Sequence, residues 1–374
     1  MSQLLRDRTA IVHDWFQGFH GSERVVEAMR AGLFAPGVAP DVYTFQAARE
    51  LLPPELAASI RQESRLANLP GIRQRGHDPG RWRFLLPYMP TYFRHLDLDA
   101  YDVVISSSHA CAVQVRPRED AFHLCYCYTP IRYAWLPETE SKRVRGPTAF
   151  GLRLARGRLR RQDLEASRRP DVYVAISEAV RERIRDAYGR DSVVVHPPVD
   201  VEDFDPAAEK EPGRFLWAHR LVAYKNPQAV VEAFRGLPYR LVMVGVGPLE
   251  AELRASLPPN VELHGWMSRE DLVKQYERAS GFIHVGEEDF GITMVEALAA
   301  GAPVVALGRG GATDIVRPGE DGLLVDDADP ATVSEAVRAT AERSWDPQAL
   351  AARAREFSRE RFLERLLAAI AEHR

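Results

Sequence analysis

Glu288 and Glu296 stand eight positions apart in the run Glu287-Glu-Asp-Phe-Gly-Ile-Thr-Met-Val-Glu-Ala-Leu-Ala-Ala-Gly-Ala-Pro-Val-Val. A strand pattern precedes them and a helical pattern begins near Gly291. One carboxylate therefore falls just before the helix and the other about one and a half turns into it. Glu296 sits among Met294, Val295, Ala297 and Leu298, where an acid is costly to bury without a partner. A buried acceptor there suits the hydroxyls of a ribose, and a carboxylate beside a helix N-terminus suits sugar hydroxyls. The plainer reading of the same pair is a capping acid followed by a structural buried one.

Arg220 and Lys225 lie in Ala218-His-Arg-Leu-Val-Ala-Tyr-Lys-Asn-Pro, just past another strand pattern. A guanidinium and an ammonium at a strand end suit a diphosphate, because they neutralise its charge and favour its departure. Near the N-terminus, Asp14-Trp-Phe-Gln-Gly-Phe-His-Gly-Ser joins the first strand pattern to a helix that Ser22 can cap. Gly18 and Gly21 would let backbone approach a phosphate at that helix N-terminus. The spacing matches neither a dinucleotide fingerprint nor a P-loop. Ser106-Ser-Ser-His109 ends a further strand pattern and sets the His109 imidazole at a strand end. Solvated loop cations, a tight turn and a core histidine are the structural counterparts of these readings.

Short apolar runs rich in Val, Ile, Tyr and Phe supply the strand ends: Thr9–Val12, Asp41–Phe45, Asp102–Ser106, Phe122–Tyr128, Asp171–Ile176 and Ser192–His196. Helical spacing separates several of them, as at Val25, Val26, Met29 and Leu33. Near-continuous apolar strands alternating with helices predict parallel sheets covered on both faces. The pattern pauses at His196-Pro-Pro-Val-Asp and restarts at Arg214–Ala218, followed by Arg240–Val244, Asn260–Leu263, Gly281–Val285, Pro303–Ala306 and Gly322–Val325. We therefore expect an α/β chain of two doubly wound domains, at residues 1–196 and 213–354, joined by a linker at 197–212. The C-terminal stretch, about 355–374, is helical and could return to the first domain. Ligands of such sheets bind beyond the carboxyl ends of the strands, so two facing sheets would enclose a cleft.

With 374 residues the chain accommodates about two or three domains. A net charge of −4 gives the whole molecule no nucleic-acid-binding character. Cys111, Cys125 and Cys127 are too few for a disulfide scaffold and fit a reducing compartment. With no secretory signal and no long apolar span, the expected location is cytoplasmic. The pairs Asp97-Leu-Asp and Asp203-Phe-Asp lack a third ligand nearby, so no metal site is expected. Between 142 and 169, Lys142, Arg143, Arg145, Arg153, Arg156, Arg158, Arg160 and Arg161 alternate with Phe150, Leu152, Leu154 and Leu159. Such a segment either lies on an anionic membrane surface or is a solvated helix face with its leucines inward.

On the Arg220…Lys225 pair, the Glu288…Glu296 motif and the trailing Ala-Leu-Ala-Ala-Gly-Ala-Pro-Val-Val, the chain resembles the retaining glycosyltransferases of family 4, with the two-Rossmann GT-B fold. His-Asp-Trp at 13–15, Ser-Ser-Ser-His at 106–109 and Cys-Tyr-Cys-Tyr-Thr-Pro-Ile-Arg-Tyr-Ala-Trp at 125–135 resemble the bacterial mannosyltransferase-type branch of O-antigen and exopolysaccharide assembly. The resemblance implies that Arg220 and Lys225 hold the donor diphosphate and that Glu296 binds the nucleotide ribose. Glu288 would contact the transferred sugar, with the Phe290, Gly291 and Ile292 backbone beside it. Gly21 would lie against the phosphates and His109 would contact the donor sugar. It further implies a nucleotide-sugar donor, GDP-mannose, a lipid-linked saccharide acceptor, and no metal or other cofactor. One departure is visible: the two adjacent glycines usual in the first loop stand here as Gly21-Ser22. A UDP- or dTDP-sugar donor, a nucleotide-sugar epimerase or phosphorylase, and a non-catalytic scaffold are the alternatives. A dehydrogenase is disfavoured by the missing dinucleotide fingerprint.

Overall fold

The computed structural model describes residues 4–69, 72, 82–135 and 147–374. They form two compact units, one of residues 1–196 with 362–374 and the other of 197–361. The first is built on β1 (Thr9–His13), β2 (Asp41–Thr44), β3 (Ile60–Gln62), β4 (Val103–Ser108), β5 (Phe122–Cys127), β6 (Val172–Ala175) and β7 (Val193–Val194). These strands are ordered β3-β2-β1-β4-β5-β6-β7, and every pairing is parallel. Both faces of β1, β4 and β5 are buried throughout, which is why their sequences read as continuous apolar or small-residue runs. The helices that matter to the site are α1 (Gly21–Gly32), α2 (Arg132–Trp135), α3 (Pro147–Ala166) and α4 (Glu178–Tyr188).

The second unit carries β8 (Glu211–Ala218), β9 (Arg240–Val244), β10 (Val261–His264), β11 (Ala279–His284), β12 (Val304–Leu307) and β13 (Gly322–Val325). Their order is β10-β9-β8-β11-β12-β13, again wholly parallel. Its core joins Phe215, Trp217, Phe234, Met243 and Ile283. Among its helices are α5 (Pro227–Phe234), α6 (Arg269–Arg278), α7 (Ile292–Ala299), α8 (Ala312–Ile315) and α9 (Pro347–Arg355). Pro227 opens α5 at a position whose N–H would be unpaired anyway. The stretch read as a linker, 197–212, is packed as part of this unit: Phe204 lies edge-on to Tyr276 and the Asp205 N–H donates to Glu277 at 3.0 Å.

The last helix, α10 (Arg359–His373), passes from one unit to the other. Phe362 is buried edge-on against Tyr126, and Arg374 makes a two-pronged ion pair with Asp7. Leu363 lies so close to Gly32 that a Cβ there would meet its methyl carbon at 2.3 Å. The two terminal segments of the chain are thereby joined in the first unit.

One further local expectation changes. The first helix starts at Gly21, so Ser22 lies inside it rather than at its cap. The Ser22 hydroxyl donates to Glu23 at 3.2 Å, and Glu23 also accepts from the His20 N–H at 3.3 Å. The cap position is His20, and the acid at the third helical position accepts its N–H as in a capping box. In the basic segment, Lys142, Arg143 and Arg145 lie outside the described residues, as do the side chains of 147–155. Farther along α3, Leu159 is buried while Arg158, Arg160 and Arg161 are exposed. The Arg160 guanidinium stacks over Trp135 at 4.3 Å.

Candidate active site

In each sheet the strand order reverses direction at one place, between β1 and β4 in the first unit and between β8 and β11 in the second. Loops leaving the carboxyl ends of those paired strands diverge to opposite sides and leave room for a ligand. The residues singled out from the sequence stand at these two places.

In the first unit Asp14 follows β1 and is fully buried. Its Oδ2 accepts from the N–H groups of His109 and Ala110 at 2.7 and 2.9 Å. Its Oδ1 accepts from Cys111 and Ala112 at 2.5 and 2.7 Å. Burial is the largest influence on this carboxyl and pushes it up. A proton on either oxygen would nevertheless face an N–H, so the geometry demands the carboxylate. Asp14 thus folds the chain beyond β4 around itself and fixes where His109 emerges.

The His109 ring lies 4.4 Å, centroid to centroid, from Trp15 at an angle of 89°, with Tyr128 at 5.9 Å. Its Nδ1 is 3.4 Å from Asp14 Oδ2, and 23% of its side chain remains open. Burial, and then the charge of Arg132, push His109 down to about 3, so at neutral pH it offers a neutral imidazole. Behind it, His13 Nδ1 lies 3.1 Å from both oxygens of Ser107. The Ser107 hydroxyl is 3.0 Å from that of Tyr128, which lies 3.2 Å from the Ser22 carbonyl as its donor. This chain of contacts ties the ends of β1, β4 and β5 to the first turn of α1, where Gly21 sits.

In the second unit the loop after β8 carries His219, Arg220 and Lys225, and the loop after β11 carries Glu287 to Gly291. Lys225 is 5% exposed and its ammonium is in contact with Glu288. Glycines allow this closeness. A Cβ on Gly286 would come within 3.0 Å of the Lys225 backbone, and one on Gly310, at φ 63°, within 2.1 Å of the Glu288 carbonyl. The Gly311 N–H donates to that carbonyl at 2.9 Å, so the loop after β12 braces the loop bearing Glu288. Gly291, at φ 100°, precedes α7, with Phe290 buried and Ile292 in the first helical position.

Below Glu288 lies His284, 1% exposed, with Nε2 3.8 Å from Glu288 Oε2. Its ring meets His219 at 4.7 Å and 74°. Burial and then the Lys225 charge push His284 down to about 3, and the same two causes push His219 well down. Two neutral rings therefore floor the Lys225–Glu288 contact without adding positive charge. Arg220 is exposed, and among the described residues its guanidinium has no hydrogen-bond or ion-pair partner.

Glu296 is 7% exposed on α7, and the partner its burial requires is Arg269, whose Nη1 lies 2.5 Å from Glu296 Oε1. Arg269, the first residue of α6, also reaches Asp203 Oδ2 at 3.0 Å. Asp14, Trp15, His219, His284 and Arg269 were given no role from the sequence. The only sign of Asp14 and Arg269 was the rule that buried acids need partners, and that rule does not say which residue answers it.

Comparison with known proteins agrees with this architecture. Residues 19–203 match the family described as glycosyltransferase family 4, and residues 199–360 match glycosyl transferases group 1. The chain carries the fold and the two family domains of the GT-B glycosyltransferases. It is 32% identical over 135 residues to the D-rhamnosyltransferase WbpZ of Pseudomonas aeruginosa, covering 34% of this chain and 35% of that one. It is 35% identical over 138 residues to a GDP-mannose-dependent alpha-mannosyltransferase of Mycobacterium tuberculosis, covering 34% and 36%. These matches span about a third of the length of those relatives. Among solved structures, HepE of Anabaena in complex with UDP superposes with a TM-score of 0.69 at 15% identity, over 98% of this chain and 100% of that one. Sucrose-phosphate synthase of Thermosynechococcus elongatus gives 0.66 at 16%, over 98% of each. Among the described residues no helix is long and apolar enough to cross a membrane.

Proposed function

We propose that the protein transfers a hexose, mannose from GDP-mannose, to a hydroxyl of a lipid-linked oligosaccharide with retention of configuration. The observation that carries this reading is the Lys225–Glu288 contact at the switch point of the second unit, with Arg220, unpartnered among the described residues, after the same strand as Lys225. Arg220 and Lys225 stabilise the departing diphosphate, Glu288 holds hydroxyls of the transferred sugar with Phe290, Gly291 and Ile292 beside it, and Glu296 binds the ribose. From the first unit, Gly21 is assigned to the donor phosphates and His109 to the sugar. The bond from the anomeric carbon to the phosphate oxygen breaks, its electron pair leaving with the nucleoside diphosphate. The acceptor oxygen bonds to the same face of that carbon, and its proton passes to the leaving phosphate. This scheme uses no metal ion, no cofactor and no nucleophilic side chain. A neutral His109 suits it, since an imidazolium would oppose positive charge developing on the sugar.

Mannose is supported by the branch resemblance and by the mannosyltransferase relative. The reading places the enzyme in the cytoplasm, peripheral on the inner face of the membrane, with the basic segment 142–169 against anionic lipid. A thermal-shift screen across nucleotide sugars tests the donor, because a ligand bound only by the folded state raises stability by mass action. Stabilisation by GDP-mannose, followed by mannosyl transfer to a lipid-linked saccharide, is the expected result. Stabilisation by a UDP- or dTDP-sugar alone would overturn the donor assignment. Conversion of the donor without an acceptor would point to an epimerase. Liposome sedimentation with anionic lipid and salt varied tests the membrane contact, and indifference to both would remove it.

A further inference from the structure

Arg269 is clamped between two acids. Its Nη1 lies 2.5 Å from Glu296 Oε1, and its Nη2 and Nε lie 3.0 and 3.3 Å from Asp203 Oδ2. Its guanidinium carbon stands 5.0 Å from the centre of the Phe204 ring. Ser268 caps the helix that Arg269 begins, accepting from the Asp271 N–H at 3.1 Å, so the backbone beneath the clamp is fixed as well. Tyr276, fully buried, also lies next to Glu296, and burial and then the Glu296 charge push its phenol well up.

Glu296 has three side-chain torsions, and as a buried carboxylate it needs a cation and a fixed orientation. Arg269 supplies both. The contact engages Oε1 and leaves the Oε2 lone pairs outside the ion pair, and a carboxylate has about four such acceptor sites in all. We infer that Arg269 is a positioning residue that aims Glu296 at the ribose of the bound nucleotide, making the site select ribonucleotides over deoxyribonucleotides. This rests on the assignment of Glu296 to the ribose. A lysine could not replace the arginine: one ammonium cannot span Glu296 and Asp203 with the fixed fork that a guanidinium provides.

The test measures dissociation constants for GDP and UDP and for their 2′-deoxy counterparts by calorimetry on the full chain. The nucleotide that the wild-type protein binds should bind about tenfold or more tightly in its ribose form, as expected for loss of a hydrogen bond to a charged group. Arg269→Met should bring that ratio close to one, Arg269→Lys should lower it, and Asp203→Asn, which leaves Glu296 untouched, should lower it less than Arg269→Met does. Melting curves without ligand identify any variant that fails to fold, and Asp203→Asn and Arg269→Lys then carry the comparison. A purely structural arginine would weaken ribose and deoxyribose forms equally, so an unchanged ratio in folded variants overturns the inference while leaving Glu296 in place. A wild-type protein that does not distinguish the two sugars overturns the Glu296 assignment itself, and this inference with it.

Discussion

The Asp14 carboxylate, fully buried, accepts the His109 backbone N–H at 2.7 Å and lies 3.4 Å from the Nδ1 of the same residue. One acid therefore sets where His109 leaves the sheet, with its carboxylate beside the ring. Asp14→Asn would present an amide N–H to backbone donors and leave at least one of them unpaired. It should cost about 3 kcal/mol of stability and lower turnover more than it raises the KM for donor. Chemical denaturation and steady-state kinetics check this. A variant with wild-type stability would show that the four N–H contacts do not hold the loop.

Arg220 offers a cleaner separation of binding from folding. It is exposed and unpartnered among the described residues, so Arg220→Ala should leave the melting temperature essentially unchanged. If it contacts the diphosphate, the lost charge-assisted hydrogen bond should weaken nucleoside diphosphate binding by about 10- to 100-fold. Unaltered binding would remove Arg220 from the site.

Lys225 and Glu288 cannot be separated in that way, because Lys225 is 5% exposed and in contact with Glu288. Lys225→Ala or Glu288→Ala should reduce turnover by about two to three orders of magnitude and also lower stability, since each breaks an ion pair whose lysine is buried. Circular dichroism should show the fold retained. Near-wild-type transfer by either variant would refute the assignment.

Gly310 tests the brace behind Glu288. Its φ of 63° and a Cβ clearance of 2.1 Å to the Glu288 carbonyl leave no space for a side chain. Gly310→Ala should push the Glu288 loop away from Lys225, lowering turnover with the rest of the unit intact. Equal activity in the alanine variant would show that the brace is not needed.

Acid sensitivity follows from the buried histidines. Burial pushes His13, His123 and His284 from the ordinary 6.5 down to about 3. Between those values the unfolded chain holds protons that the folded chain does not, so stability falls as pH drops through that window. Asp163 works in the opposite sense. Burial raises it from 3.8 to about 7, so the folded chain holds its proton in that range and loses the benefit as pH rises through 7. With His109 and His219 also pushed down by burial, five histidines stand against three buried acids pushed up, Asp14, Glu23 and Asp163, and the urea midpoint should fall from about pH 7 to about pH 5. A midpoint that rose on acidification would contradict the buried neutral rings.

Much of the fold was legible because its signals are local. Continuous apolar runs such as Thr9–Val12 mark strands buried on both faces, and Pro227 and Gly236 bracket a helix through their own backbone preferences. The spacing of Glu288 and Glu296 likewise set one acid before a helix and the other inside it. Ser22 was misplaced by two positions, the cap being His20, because a capping hydroxyl and a helical Ser followed by Glu read alike along the chain.

What the sequence by itself determined is the alternation of strands and helices, the loops that hold the candidate residues, and the acids that would need partners. Which residues meet was decided only in three dimensions. Strand order sets β4 beside β1 and β11 beside β8, and that order depends on long crossover connections that leave no periodic trace. Asp14 finds its four donors 95 to 98 positions away, and Arg269 meets Glu296 27 positions on. Desolvation demanded that such acids be satisfied, and only the packing of the sheets and helices could bring their partners within reach.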